Sequence, residues 1–124
     1  MIKTSRTGWR RIWDAARYSM NGIKAAWRNE AAFRQELAVV LVMLPASWWV
    51  GATMTQRALL VFSLLLVLIV ELLNSAIEAT IDRLGTERNE LSGRAKDLGS
   101  AAVMVSLIAA AAVWGFAVWE KLKL

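Results

Sequence analysis

Five polar residues interrupt an apolar segment near the middle of the chain, and their types could carry chemistry. The segment 64–82 reads LLLVLIVELLNSAIEATID, and helical spacing puts its polar members on one face: Glu71, Asn74, Ser75, Glu78 and Asp82. A charged side chain at the centre of a membrane-spanning helix costs about 2.5–3.5 kcal/mol on insertion scales. Ionisable residues kept at that cost are usually functional. We therefore expect a carboxylate site on this helix, with Glu71 as its deepest member.

The residue types suggest acid–base and metal chemistry. Glu71 lies deep enough in the apolar segment to act as a general base for a hydroxyl, and Asn74 could hold that hydroxyl or orient a carboxylate. Glu78 lies nearer the end of the segment, where Mg²⁺ bound to a phosphate substrate could reach it. A purely structural alternative stays open. Glu71 could serve as a hydrogen-bond partner between helices, and Glu78 or Glu30 could pair with a nearby cation, Arg34 or Lys96.

Composition narrows these possibilities. The 124 residues include no Cys and no His, so disulfides, thiolate ligands and histidine bases are excluded. The chain is 57% hydrophobic, which is too apolar for an ordinary soluble domain of this size. Its net charge of +5 does not predict nucleic-acid binding, because the basic residues concentrate before an apolar run, as in proteins attracted to anionic lipid. Soluble-kinase motifs, such as a GxxxxGK phosphate loop, are absent from the sequence.

Three apolar stretches must position the carboxylates. We expect transmembrane helices over about 31–50, 56–82 and 97–119, because a chain this short can span a membrane only with helices. Residues 5–28 carry Trp and aliphatic side chains at spacings of three and four, which predicts an amphipathic helix on the membrane surface. The predicted fold is all-α: a single domain, 1–124, with three transmembrane helices and an N-terminal amphipathic surface helix.

Charge distribution predicts the orientation. Residues 1–36 hold eight Lys and Arg residues, 51–57 hold one and 83–96 hold four. The positive-inside rule then places the N-terminus in the cytoplasm, together with the link 83–96 between the second and third apolar stretches. Lys121 and Lys123 in the tail are a small contrary signal. Small residues recur every four positions in the third apolar stretch, which favours close helix packing, and we expect a homo-oligomer.

Three segments resemble one known family: NEAAFRQE at 29–36, VELLNSAIEATIDR at 70–83 and ELSGRAKDLGSAAV at 90–103. They are similar to the prokaryotic diacylglycerol kinases, nearly end to end. The resemblance implies a homotrimeric enzyme of the bacterial cytoplasmic (inner) membrane, with its N-terminus and its intersubunit active sites on the cytoplasmic side. It implies transfer of the γ-phosphate of Mg·ATP to diacylglycerol, giving phosphatidic acid. A sister branch phosphorylates undecaprenol, but NEAAFRQE resembles the diacylglycerol branch more closely.

Carried over residue by residue, the resemblance implies separate roles. Glu71 becomes the general base with Asn74 as a further active-site residue, and Glu30 and Glu78 become Mg²⁺ ligands. The residues implied to bind ATP are Arg11, Tyr18, Glu30, Glu78, Glu87, Arg88, Asn89, Lys96 and Asp97. The residues implied to bind the lipid are Arg11, Ala15, Ala16, Arg17, Tyr18, Ser19, Ala32, Phe33, Arg34, Gln35, Glu36, Trp49, Arg57, Glu71 and Ser100. Asn89 stands where close relatives often carry His, which excludes a titrating role there.

Two rivals from other classes remain open at this stage. A small proton or ion conductor would use Glu71 as a relay, but it leaves Lys96 and Asp97 unexplained. An inert structural subunit would leave the buried carboxylates without a purpose.

Overall fold

The chain folds into four helices joined by very short connections. The computed structural model describes residues 7–85, 87 and 89–123. The helices are α1 (Trp9–Asn29), α2 (Ala31–Val50), α3 (Met54–Leu84) and α4 (Glu90–Leu122). The all-α prediction is confirmed, and α2 has the predicted bounds. Helix α1 begins at Trp9, whereas the predicted surface helix began at residue 5. Residues 5 and 6 lie outside the described part of the chain.

Helix α4 differs from the sequence prediction at its start. It begins at Glu90 rather than near residue 97, so most of the expected polar link forms its first turns. The cause is an N-cap: Asn89 Oδ1 accepts hydrogen bonds from the backbone N–H groups of Leu91 at 2.9 Å and Ser92 at 3.2 Å. Such a cap satisfies N–H groups that have no partner within the helix. The polar residues before the apolar run are therefore held on a rigid helix.

A single extended residue, Glu30, separates α1 from α2. The guanidinium of Arg34 stabilises this junction, because its Nη1 donates to the carbonyl of Trp27 at 2.7 Å and to that of Arg28 at 3.3 Å. These are carbonyls of the last turn of α1, which lack intrahelical donors. The junction fixes where the backbone of Glu30 lies between the two helices.

Helix α3 is the centre of the packing. It lies against both α2 and α4, while α1 packs mainly against α2. A small core of Val50, Leu60 and Ala117 joins α2, α3 and α4 near one end of the bundle. Beside it, Trp114 Nε1 donates to Ser63 Oγ at 3.2 Å. This core orders the end of the bundle farthest from Glu30.

Large apolar side chains remain on the surface of every helix. On α1 they form the apolar face of the predicted amphipathic helix, with Trp9 at 81% exposure and Trp13 at 68%. Helices α3 and α4 are long and apolar enough to cross a membrane, judged by length and composition. Helix α2 is not among them, and its first two turns carry Arg34, Gln35 and Glu36.

Two cations hold the end of α2 in an arrangement that we call the clasp. Arg57 Nε donates to the carbonyl of Trp48 at 3.0 Å, and its guanidinium lies 4.1 Å from the centre of the Trp48 ring. Lys121 Nζ likewise donates to the carbonyl of Trp49 at 3.0 Å and lies 4.3 Å from its ring centre. Since Arg57 belongs to α3 and Lys121 to α4, the clasp joins the last turn of α2 to both neighbours.

Candidate functional site

A cavity of about 650 Å³ opens between α1 and α3, at the end of the bundle opposite the clasp. Its polar lining combines one residue of α1 with residues of the α1–α2 junction and residues one or two turns apart on α3: Ser19, Asn29, Glu30, Ser75, Glu78 and Asp82. The single-residue junction turns Glu30 towards this region, and the helical period of α3 places its polar residues on the facing side. The structure thus brings the two predicted metal ligands, Glu30 and Glu78, to one cavity.

Glu71 lies deeper along α3 than the cavity residues and is only 4% exposed. Its electrostatic neighbours are three other glutamates, Glu30, Glu36 and Glu78. Four carboxylates from the α1–α2 junction, α2 and α3 therefore converge in one region. Such a concentration of like charge in an apolar setting is costly, and it is typical of a functional site rather than of a stabilising core.

The donor set of the cavity fits Mg²⁺ that is shared with a phosphate ligand. Within residues 7–85, 87 and 89–123, no three Asp, Glu, His or Cys side chains are arranged to hold a metal ion by themselves. Mg²⁺ commonly binds through one or two carboxylates, with water and substrate phosphates completing its shell. Glu30 and Glu78, with the amide of Asn29 beside them, supply oxygen ligands of that kind.

Asn74 connects α3, α4 and the cavity. Its Nδ2 donates to Glu78 Oε1 at 3.4 Å, and its carboxamide packs against the backbone of Gly99 on α4. Three buried polar atoms near here have no hydrogen-bond partner among the described residues: Glu36 Oε2, Asn74 Oδ1 and Ser75 Oγ. Buried polar atoms usually find partners, so Glu36 Oε2 and Ser75 Oγ are candidates for contact with a bound molecule, whereas Asn74 Oδ1 faces the backbone of Gly99.

An ion pair links α4 to the rim of the cavity. Lys96 Nζ lies 3.0 Å from Asp82 Oδ1, with side-chain exposures of 45% and 69%. Asp97 is exposed beside it. Neither Lys96 nor Arg34 pairs with Glu30 or Glu78 in the part of the chain that the structure describes, so the ion pairs considered from sequence do not form there. Because exposed pairs contribute about 0–1 kcal/mol, separating Lys96 from Asp82 costs little free energy.

The predicted nucleotide segment before α4 is only partly described. Glu87 is exposed, and Arg88 lies outside the described residues. The side-chain oxygen of Asn89 is occupied as the α4 N-cap, so a contact with ATP would use its NH₂ group. Sequence reasoning missed this capping role, although an Asn before a helix start is a common signal for it.

The predicted lipid and nucleotide contacts on α1 lie mostly on its exposed surface: Arg11, Ala15, Ala16 and Arg17 are exposed, and Tyr18 is half-buried. Ser19 is also exposed, but it lines the cavity between α1 and α3. The Arg17 guanidinium lies 5.8 Å from the centre of the Tyr18 ring. Its Nη2 also lies 3.6 Å from Oδ1 of Asp14, a buried acid that sequence reasoning did not single out.

The predicted lipid contacts beyond α1 do not lie together in one place. Gln35 and Glu36 line a second, apolar cavity of about 270 Å³ between α2, α3 and α4. Phe33 is buried, Arg34 holds the α1–α2 junction, and Ala32 and Ser100 are exposed. Trp49 and Arg57 lie at the other end of the bundle, in the clasp, and are not brought together with the carboxylates.

The model of the prokaryotic diacylglycerol kinase family matches residues 17–118. The chain belongs to this family. A diacylglycerol kinase of Escherichia coli is 53% identical over 114 residues, which cover 92% of this chain and 93% of the relative. Diacylglycerol kinases of Pseudomonas aeruginosa and Haemophilus influenzae are 49% and 46% identical, covering 87% and 93% of this chain and 88% and 96% of the relatives. Family membership and the two apolar helices together indicate a membrane protein.

The sequence of this diacylglycerol kinase family member did not predict a role for Gly99. Gly99 is buried where α4 meets α3, and it lies within the GRAKDLGSAAV segment that carries the family resemblance. A Gly inside a helix costs stability relative to Ala, which is a sequence signal, but Gly93 and Gly115 of α4 carry the same signal without a close neighbour. What it could not reveal is the neighbour, Asn74, because the two residues are brought together only by the packing of α3 on α4.

Proposed function

We propose that the protein is an ATP-dependent lipid kinase that transfers the γ-phosphate of Mg·ATP to the hydroxyl of diacylglycerol, giving phosphatidic acid. Its membership of the prokaryotic diacylglycerol kinase family is the observation that carries this proposal. The buried Glu71 beside the carboxylate cavity supports it, since the lipid hydroxyl lies at the membrane boundary while ATP stays in water.

In the proposed reaction Glu71 accepts the proton of the lipid hydroxyl. The hydroxyl oxygen forms a bond to the γ-phosphorus as the bond from that phosphorus to the β,γ-bridging oxygen breaks, and ADP leaves. Phosphoryl transfer of this kind depends mainly on positioning and on charge stabilisation. The burial of Glu71 suits the role because it keeps bulk water away from the proton acceptor.

We assign Mg²⁺ to Glu30 and Glu78, together with the ATP phosphates. Their placement on one cavity and the oxygen-only donor set support this assignment. When bound, the ion would neutralise charge on the phosphates. Asn74 would orient the Glu78 carboxylate through its Nδ2.

The proposed nucleotide contacts surround this cavity at the same end of the bundle. Lys96 would release Asp82 and pair with a phosphate, and Asp97 lies next to it on α4. The remaining contacts are proposed from the family resemblance: Arg11 and Tyr18 on α1, and Glu87, Arg88 and Asn89 before α4.

The lipid is proposed to bind between the carboxylates and the apolar cavity. Its glycerol end would lie near Glu36, whose Oε2 is buried without a partner among the described residues, with an acyl chain entering the 270 Å³ cavity. The α1 contacts at 15–19 and those at Ala32 and Ser100 would border the headgroup. Trp49 and Arg57 could then meet only the distal part of an acyl chain, because the length of α2 separates them from Glu30.

We propose that α2, α3 and α4 all span the bacterial inner membrane, with α1 on its cytoplasmic surface, and that three copies share their active sites. The Lys and Arg distribution and the exposed Trp face of α1 support the orientation. The cavity is lined by α1, α3 and the junction alone, while Lys96 and Asp97 do not line it, which favours completion by a neighbouring copy. Because the chain has no Cys, single cysteines introduced at Arg28 and Thr55 would test the orientation by labelling from each side.

A mixed-micelle assay tests the function. Purified protein with Mg·ATP should convert a short-chain diacylglycerol to phosphatidic acid, and it should prefer that lipid when undecaprenol competes. Preference for undecaprenol would move the protein to the sister branch of the family. Failure to phosphorylate either lipid, combined with proton or ion flux in ATP-free liposomes, would overturn the kinase proposal in favour of a conductor.

A further inference from the structure

Gly99 is the one glycine of α4 that meets another helix closely. A Cβ atom at this position would collide with Oδ1 of Asn74 on α3 and would lie 3.3 Å from its Cγ, a tight contact. The other glycines of α4, Gly93 and Gly115, would place a Cβ in open space, with nothing within 4 Å. A missing side chain at position 99 therefore makes room for one particular group.

That group is in direct contact with a carboxylate of the cavity. Asn74 Nδ2 donates to Glu78 Oε1, whereas Asn74 Oδ1 is buried against α4. The carboxamide thus lies between Gly99 on one side and Glu78 on the other. A methyl group at position 99 would leave the carboxamide no room in its present place, so the amide would have to rotate or shift, and the 3.4 Å contact from Nδ2 to Glu78 Oε1 would change.

We propose that Gly99 is a positioning residue for the carboxylate site: by admitting Asn74 against α4, it sets the orientation of Glu78. This inference rests on the proposed function, in which Glu78 holds Mg²⁺ with ATP. Groups that orient metal ligands typically change metal affinity or activity by about 10–100-fold when they are altered. Gly99 would act indirectly, because it contacts Asn74 and Asn74 contacts the proposed metal ligand Glu78.

The first test compares Gly99→Ala with Gly93→Ala, which adds the same methyl group to the same helix in open space. Gly99→Ala should raise the Mg²⁺ concentration for half-maximal turnover and lower kcat/KM by about 10–100-fold. Gly93→Ala should stay within about twofold of the wild type, as substitutions away from contacts usually do. Electron paramagnetic resonance can measure the affinity for Mn²⁺ in the presence of a non-hydrolysable ATP analogue. This affinity should fall in Gly99→Ala and stay unchanged in Gly93→Ala. Equal Mn²⁺ binding by the two variants would overturn the proposal.

A second test separates positioning from simple spreading of α3 and α4. In an Asn74→Ala background the methyl group has no carboxamide to strike, so Gly99→Ala should add less than about a twofold further effect. If it retains its full effect there, the methyl acts on helix packing and Gly99 does not work through Asn74. A wild-type protein that fails to phosphorylate diacylglycerol would count against the proposed function instead, and the Mn²⁺ comparison would still decide the role of Gly99.

Discussion

Replacing Glu71 by Gln should lower the turnover rate and raise the free energy of unfolding. Because the two quantities change in opposite directions, the variant separates a catalytic role from a structural one. Gln has the shape of Glu and no charge, so it can fill the same buried space, in which Glu71 is 4% exposed. The position lies near the middle of α3, among the like charges of Glu30, Glu36 and Glu78. The variant therefore removes a proton acceptor and an unfavourable charge in one step.

Both magnitudes follow from this setting. A positioned general base contributes about 10²–10⁴-fold to a rate, so turnover should fall by that factor, or about 2.7–5.4 kcal/mol in activation free energy. A charge at the centre of a spanning helix costs about 2.5–3.5 kcal/mol. Because Gln remains polar, only part of that is recovered, and the free energy of unfolding should rise by about 1–2 kcal/mol.

The assay measures phosphatidic acid formation in micelles and thermal unfolding of the same preparation. Glu120→Gln is the matched control: this exposed residue accepts a hydrogen bond from Gln56 Nε2 at 2.6 Å, at the clasp end of the bundle. It should keep wild-type turnover and change stability little. Glu71→Gln with wild-type turnover would refute the assignment of the base. If turnover and stability fell together, the loss would reflect a damaged fold rather than the missing base.

Three further predictions concern the cavity, the ion pair and the clasp. Glu78→Gln should raise the Mg²⁺ concentration needed for half-maximal turnover, measured by metal titration, because one of two proposed carboxylate ligands becomes neutral. Lys96→Met should raise KM for ATP while changing the unfolding temperature little, because its exposed pair with Asp82 contributes about 0–1 kcal/mol. Lys121→Met should lower the free energy of unfolding by about 1 kcal/mol and leave KM for ATP unchanged, because it removes a charged hydrogen bond and a ring contact far from the cavity.

Each of these three has a contrary result. An unchanged metal titration for Glu78→Gln would remove Glu78 from the metal site. A large drop in the unfolding temperature of Lys96→Met would make Lys96 a structural residue. The control for Lys121→Met is Lys123→Met, which removes a cation two residues further along, just beyond the end of α4. Equal stability of the two variants would contradict the clasp.

The tail lysines illustrate how tertiary contact changes the meaning of a sequence signal. Counted along the chain, Lys121 and Lys123 weigh against the predicted orientation. In the folded chain Lys121 is bound to the ring and carbonyl of Trp49, so it has a structural use at that end of the bundle. The interpretation of two further residues changes in the same way. Lys96 pairs with Asp82, and Asn89 caps α4.

The sequence by itself predicted the four helices, although not the start of α4, and the residue types available to a site. Apolar runs of helical length, a run with carboxylates on one face, and the lack of His and Cys are local properties that can be read residue by residue. Only the tertiary structure decided which groups meet: Glu30 with Glu78 across one cavity, Lys96 with Asp82, and Gly99 with Asn74. The physical reason is that these pairs lie on different helices or across a helix break. Their distances depend on how α1, α3 and α4 pack, and helical periodicity relates only residues within one helix.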